Sequence, residues 1–191
     1  MSESRPGATR YQRTSGGLVG AMIVTVLFVV AFVGLRGFVR DNESTPVHKV
    51  DYQTWVKAGR SDGKLAVYVP SPLPDGWRAT SASYETGTQP AWHLGMLTDD
   101  RKYVGVEESR ASTRDLAEQY VDQDAVRGKD VTVAGETWQT WTDAGGDYAL
   151  VRAVPVGGKP YESVLVGGSA DPAAVRSFVA TLIAGQVHAA G

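Results

Sequence analysis

Residues 14–35 contain no charged side chain, and that run constrains this chain more than any other feature. Its core, Leu18 to Leu35, reads LVGAMIVTVLFVVAFVGL and is broken only by Gly20, Thr25 and Gly34. As a helix, the 22 residues would rise roughly 33 Å, enough to cross a hydrocarbon core of about 30 Å. A soluble helix of that length shows a polar stripe, and none is present. A transmembrane helix over residues 14–36 is therefore expected, with the lipid bilayer as its partner. The competing reading is a cleaved signal peptide, whose apolar region is usually about 7–15 residues and ends at small residues. The only candidate cleavage point, Val29-Val30-Ala31, lies inside the run, with Phe32-Val33-Gly34-Leu35 still to follow.

Arg5, Arg10 and Arg13 precede the run, and Arg36 and Arg40 follow it. This mild positive-inside bias puts residues 1–13 in the cytoplasm as a short tail and the remainder outside, at the cell membrane. Up to Arg40 the chain carries a net +4; from Asp41 onward it carries −6. A basic head on an acidic body lacks the clustered basic face that nucleic acid requires, so no nucleic-acid partner is expected. The sequence has no cysteine, which excludes disulfides, thiolate catalysis and cysteine-ligated zinc.

Residues 37–50 read as a polar juxtamembrane linker containing Pro46, and residues 51–185 as one α+β domain followed by a tail, 186–191. Asp51 suits the cap of a short helix with Tyr52, Trp55 and Val56 on one face, broken by Gly59 to Gly63. Leu65 to Val69 alternates as a strand. Strands are expected at 78–85, 91–97 and 102–108, with a turn at Thr98 to Arg101. Ser112 to Asp115 resembles a capping box opening a helix that ends near Gly128. The pattern then repeats, with strands near 130–134, 137–142, 147–154 and 161–166 and a helix from Pro172 to Ala184 capped by Asp171. In that helix Val175, Phe178, Val179, Leu182 and Ile183 form one apolar stripe. Strands followed by a helix, twice, with short links, predict a mainly antiparallel sheet with helices packed on it.

Several short motifs recur in a fixed order. They are Val69-Pro70, Leu73-Pro74-Asp75-Gly76-Trp77-Arg78, Trp92-His93-Leu94-Gly95, Tyr103 to Ser109, Val133 to Trp138 and Val164 to Ala170. In this order, behind one N-terminal span, the chain resembles the domain-of-unknown-function family numbered 4245, actinobacterial membrane proteins. The resemblance runs from the span to Ile183 and implies a single-pass protein with no family-defined catalytic residues. Two β-rich halves each closed by a helix are also similar to the Mog1/PsbP-like architecture, a likeness of fold that assigns no function.

Candidate chemistry is sparse. His48 falls in the linker and His188 in the tail, so a Ser-His-Asp arrangement would have to use His93, and no serine sits in a G-x-S-x-G elbow. A half-buried strand histidine is the plainer reading. Glu107 and Glu108 point to opposite faces of a strand and cannot converge on one bond; one is expected to face solvent and the other to meet a cross-strand partner. Asp99-Asp100 lacks calcium-loop spacing, and Gly167-Gly168-Ser169 lacks a phosphate-loop pattern. Trp77, Trp92, Trp138 and Trp141 are expected to fill core, with one of Trp138 and Trp141 the better candidate for exposure. No catalytic, cofactor or metal residue is assigned. The composite reading is a non-enzymatic, anchored extracytoplasmic module that binds an envelope protein or cell-wall component. A carrier or sensor of a small apolar ligand is the alternative, and a hydrolase built on His93 ranks last.

Overall fold

The computed structural model describes residues 50–156 and 159–187. The expected tail 1–13, span 14–36, most of the linker and the residues after Val187 lie outside them. Among the described residues no helix is long and apolar enough to cross a membrane. The domain is α+β, with three helices among the described residues and antiparallel pairing throughout its sheets.

Helix α1 is Gln53–Asp62. Its N-cap is Tyr52, without a side-chain cap; Asp51, the expected cap, stands one residue earlier, and its Oδ1 accepts the Gln53 N–H at 3.1 Å. The expected break over Gly59 to Gly63 falls at its far end. A Cβ at Gly59 would run into the Tyr84 ring and Val67, so glycine lets the helix lie close on the sheet instead of ending it. The helix stops at Gly63, in the left-handed region at φ 65, where its N–H bonds to the Gly59 carbonyl.

The next stretch corrects the sequence reading. Leu65 to Val69 is not a strand; only β1, Val69–Pro70, pairs, and it pairs with β10, Leu182–Ile183. Leu65, Ala66 and Val67 are buried, and Val67 sits at φ 51, outside the extended region. Carboxylates accept the N–H groups of Ala66, Val67 and Tyr68, which removes the need for a strand partner.

Three long strands follow: β2 (Arg78–Glu85), β3 (Ala91–Leu97) and β4 (Tyr103–Ser109). Helix α2, Thr113–Tyr120, opens with a full capping box between Ser112 and Asp115. It ends at Tyr120, well short of Gly128, because the Asp122 side chain accepts the Asp124 N–H and turns the chain. Next come β5 (Val126–Arg127), β6 (Val131–Val133), β7 (Glu136–Thr142), β8 (Tyr148–Val156) and β9 (Lys159–Gly168). Helix α3 is Pro172–Val179, with Asp171 accepting the Ala173 and Ala174 N–H groups. It is shorter than expected. Thr181 Oγ1 bonds the Phe178 carbonyl, and Leu182 and Ile183 leave the helical stripe to pair with β1.

The main sheet runs β2-β3-β4-β9-β8-β7-β5, with β6 beside β7. One face carries Trp92, Leu94, Met96, Val104, Val106, Leu150 and Val166 and packs with Val56, Leu65, Val67, Val175 and Phe178 into the larger core. The opposite face carries Trp141, Ala149, Val151 and Leu165 beneath Leu116 and Ala117 of α2. Trp138 and Trp141 fall on opposite faces, as their spacing required, but both are buried, 3% and 7% exposed. The expected exposure of one of them is thus overturned, because each sheet face has its own covering layer at that point. Among the described residues helix α2 packs mainly on β8 and β9, and Tyr120 at its end reaches Glu107 of β4.

Candidate functional site

Strands β2, β3 and β4 bring together residues that are far apart in sequence. In the β3–β4 register His93 lies directly opposite Glu107, and His93 Nδ1 is 2.6 Å from Glu107 Oε1. On the other side, Ser83 lies opposite His93 and Ser81 opposite Gly95, and Ser81 Oγ is 2.7 Å from His93 Nε2. The irregularity in β2 between Ala79 and Ser81 sets this parity. A carboxylate accepts from the ring, so in the neutral imidazole Nδ1 carries the proton and Nε2 accepts the serine O–H, whereas in the imidazolium both ring nitrogens donate.

Glycines make the room. Gly95 pairs with Gly105, and Gly105 with Gly167, so three neighbouring strands present no side chain at one level. A Cβ at Gly95 would collide with Ser81 Oγ and would lie 3.1 Å from the Tyr103 hydroxyl. A Cβ at Gly105 would lie 2.9 Å from that same hydroxyl and 3.2 Å from Glu107 Oε1. Tyr103 therefore rests across both glycines with its hydroxyl beside the Ser81–His93–Glu107 series. Tyr120, at the end of α2, hydrogen-bonds to Glu107 from the other side. Tyr103 and Tyr120 are 37% and 43% exposed, and the His93 side chain is 30% exposed.

The hydrogen bond to Glu107 raises the His93 pKa above the usual imidazole value, against an opposing effect of burial. Burial raises that of Glu107, and the His93 and Tyr120 hydrogen bonds partly offset it. Burial also pushes the Tyr103 hydroxyl up to about 12.

Glu108, on the opposite face, reaches the core. The cross-strand half of the sequence expectation holds for Glu107, but neither glutamate faces solvent: Glu107 is 4% and Glu108 1% exposed. Glu108 is needed inside because it accepts the Val67 and Tyr68 N–H groups. Glu162 accepts the Ala66 N–H with both oxygens, at 3.0 and 3.2 Å. Burial raises the Glu108 pKa well above its ordinary value, with the Glu162 charge adding to it, and burial raises Glu162 to about 7. These two acids hold a loop.

The other candidates behave as surface or structural groups. Asp99 and Asp100 are exposed in their turn, and among the described residues no cluster of three or more His, Cys, Asp or Glu could hold a metal. Ser169 Oγ accepts the Tyr103 N–H. Trp92 donates to the Tyr68 carbonyl from the core, and Trp77 stacks on Phe178 with ring centroids 5.0 Å apart. His48 and His188 lie outside the described residues. A partly open cavity of about 370 Å³ lies at the start of α2, lined by Arg110, Ala111, Ser112, Thr113, Ala153, Glu162 and Ser163. It has no aromatic wall, which the apolar-carrier reading required.

The family model described as "Protein of unknown function (DUF4245)" matches residues 10–182. The chain belongs to the DUF4245 family. No curated protein matches this DUF4245 sequence. Among solved structures, the Pseudomonas aeruginosa MucA/MucB complex contains a chain similar to it at 10% identity and a TM-score of 0.37. That likeness covers 63% of this DUF4245 chain and 35% of the other, so the chain spans about a third of that protein's length.

Proposed function

We propose that this DUF4245 protein is a single-pass membrane protein whose extracytoplasmic domain binds an envelope protein through the exposed Tyr103 and Tyr120 on the β3–β4 side of its sheet. The observation that carries this reading is the pair Tyr103 and Tyr120, both exposed and both near the buried Glu107 carboxylate. Tyrosine offers a large, rigid contact area with a polar tip, and it is enriched at protein interfaces. The chain from Asp41 onward is acidic, at −6. A protein surface of apolar and basic side chains complements both features, since exposed tyrosine faces also attract cations. Residues 14–36 supply the anchor on this reading, which keeps the domain at the membrane surface where such a partner is met.

The test is a photo-crosslinking residue placed at position 103 or 120 of the full-length protein in its native membrane. Exposed positions 86 and 129 serve as controls. One discrete adduct is expected from 103 and 120 only, weaker at high salt and digested by protease. An adduct digested instead by wall-cleaving glycosidases would replace the protein partner with a glycan. Equal adducts from all four positions, or none, would remove the reading.

A further inference from the structure

Ser81, His93 and Glu107 stand on three consecutive strands, with hydroxyl, imidazole and carboxylate hydrogen-bonded in that order at 2.7 and 2.6 Å. That order is what an activated serine requires: a base within reach of the hydroxyl, and a third group holding the base in one tautomer. We propose that Ser81 is a nucleophile with His93 as its general base, and that the site hydrolyses carboxylic esters. Glu107 is a positioning residue. The inference shares Tyr103 and this sheet face with the binding reading but does not depend on it, and it departs from the sequence expectation of a non-enzymatic domain.

Three further observations support it. The series lies beside the end of α2 and not beneath its body, which packs on β8 and β9, and the His93 side chain is 30% exposed. Gly95 is what lets Ser81 Oγ approach the sheet surface, and Ser81 sits beside the β2 irregularity that turns it to the His93 side. The Tyr103 hydroxyl lies against the same glycines, and burial keeps it protonated, so an O–H donor stands beside the nucleophile where a carbonyl oxygen would gain charge. The ester class follows from the setting. The site is an open face with a side-chain hydroxyl as its donor, which suits a substrate whose alkoxide leaves more readily than an amine.

In the first half-reaction Ser81 Oγ bonds to the ester carbonyl carbon while its proton passes to His93 Nε2. The carbon–alkoxide bond then breaks, and the alcohol departs with that proton. In the second, water adds to the acyl-serine while His93 takes one of its protons. The serine–acyl bond breaks, Ser81 recovers the proton, and the carboxylic acid leaves. Ester and water become acid and alcohol, with no other reactant.

The test uses detergent-solubilised full-length protein with a fluorophosphonate probe and a series of 4-nitrophenyl esters. A single probe adduct at Ser81 is expected, with ester hydrolysis reduced at least ~100-fold in Ser81→Ala and His93→Gln. Ser83→Ala, one pleat along β2, should label like the wild type. Tyr103→Phe should lower kcat about 10-fold with little change in KM. For wild type, the rate should rise with pH as His93 loses its proton, with a midpoint above the usual imidazole value. Glu107→Gln should move that midpoint down, an effect that merely loosened packing would not produce. Unfolding midpoints of each variant separate loss of site from loss of fold; Ser81→Ala, which removes one oxygen, keeps the test decisive if His93→Gln does not fold. No adduct at Ser81, or a Ser81→Ala protein as active as the wild type, would overturn the proposal.

Discussion

The Glu108 carboxylate accepts the backbone N–H of Val67 at 2.9 Å, while Val67 itself is held at φ 51. A β-branched residue in the left-handed region persists only where its surroundings over-determine it. Here the surroundings are two buried acids that take three consecutive N–H groups. Glu108→Ala should therefore orphan the Val67 and Tyr68 N–H groups and cost about 1–3 kcal/mol. Glu108→Gln, which keeps one acceptor oxygen and the volume, should cost less. Urea denaturation of the two variants checks this; equal losses would show that neither the retained volume nor a single acceptor oxygen supports the loop.

The same loop should make stability depend on pH. Burial raises Glu162 to about 7 in the folded protein, whereas an exposed glutamate titrates near 4.5. The folded state thus binds more protons than the unfolded state between those values, and stability falls as pH rises through that window. The loss from Glu162 is on the order of 3 kcal/mol at most, and Glu108 acts in the same direction. Glu162→Gln should flatten the decline between about pH 5 and pH 8, read from denaturation midpoints across that range. A slope unchanged by the substitution would show that Glu162 titrates normally in the fold.

Alternation and capping chemistry made much of this architecture readable before the structure. Strands β2, β3 and β4 fall within a residue of their expected bounds, and Ser112 and Asp171 cap the helices the sequence assigned to them. What failed had physical causes. Leu65 to Val69 has the apolar alternation of a strand, but side-chain carboxylates on distant strands satisfy its N–H groups, and no local pattern announces that. Leu182 and Ile183 fit a helical stripe and a strand equally well, and pairing with Val69 and Pro70 decided between them. The Ser81–His93–Glu107 series was hidden for a related reason. Parity alone puts His93 and Glu107 on definite faces of their own strands, but their meeting depends on register, and Ser81 depends on the β2 irregularity as well. The G-x-S-x-G signal, sought around every serine, belongs to a strand-to-helix turn and says nothing about a serine within a sheet.

Helix α3 offers a direct measure of core packing. Phe178 is 2% exposed and stacks on Trp77 at an interplanar angle of 19°. Phe178→Ala should open a cavity and cost about 3–5 kcal/mol. Arg176, off the apolar stripe, is not idle: its Nε donates to the Tyr148 hydroxyl at 3.2 Å, and its guanidinium lies 5.6 Å from that ring's centroid. Arg176→Ala should cost about 1 kcal/mol, more than an uncontacted surface residue. Chemical denaturation of both variants tests the ranking, and a neutral Phe178→Ala would mean that α3 can leave the sheet without penalty.

The proposed anchor over residues 14–36 and the domain make opposite demands on solvent, and this sets the last expectation. Residues 14–35 carry no charge and are long enough to cross a bilayer, whereas the domain that follows closes two apolar cores of its own with water-facing loops around them. Among the described residues, both cores are built from Tyr52 onward. A fragment of residues 48–187 should therefore fold cooperatively in detergent-free buffer, while the full chain should require detergent for extraction. Arginines at 5, 10 and 13 favour an inside N-terminus, so protease added to intact spheroplasts should remove the domain and leave a membrane-bound stub. Full protection of the domain would reverse the orientation. A soluble mature protein beginning near Phe32 would instead make the apolar run a cleaved signal peptide, since a spanning helix cannot be extracted without disrupting the bilayer.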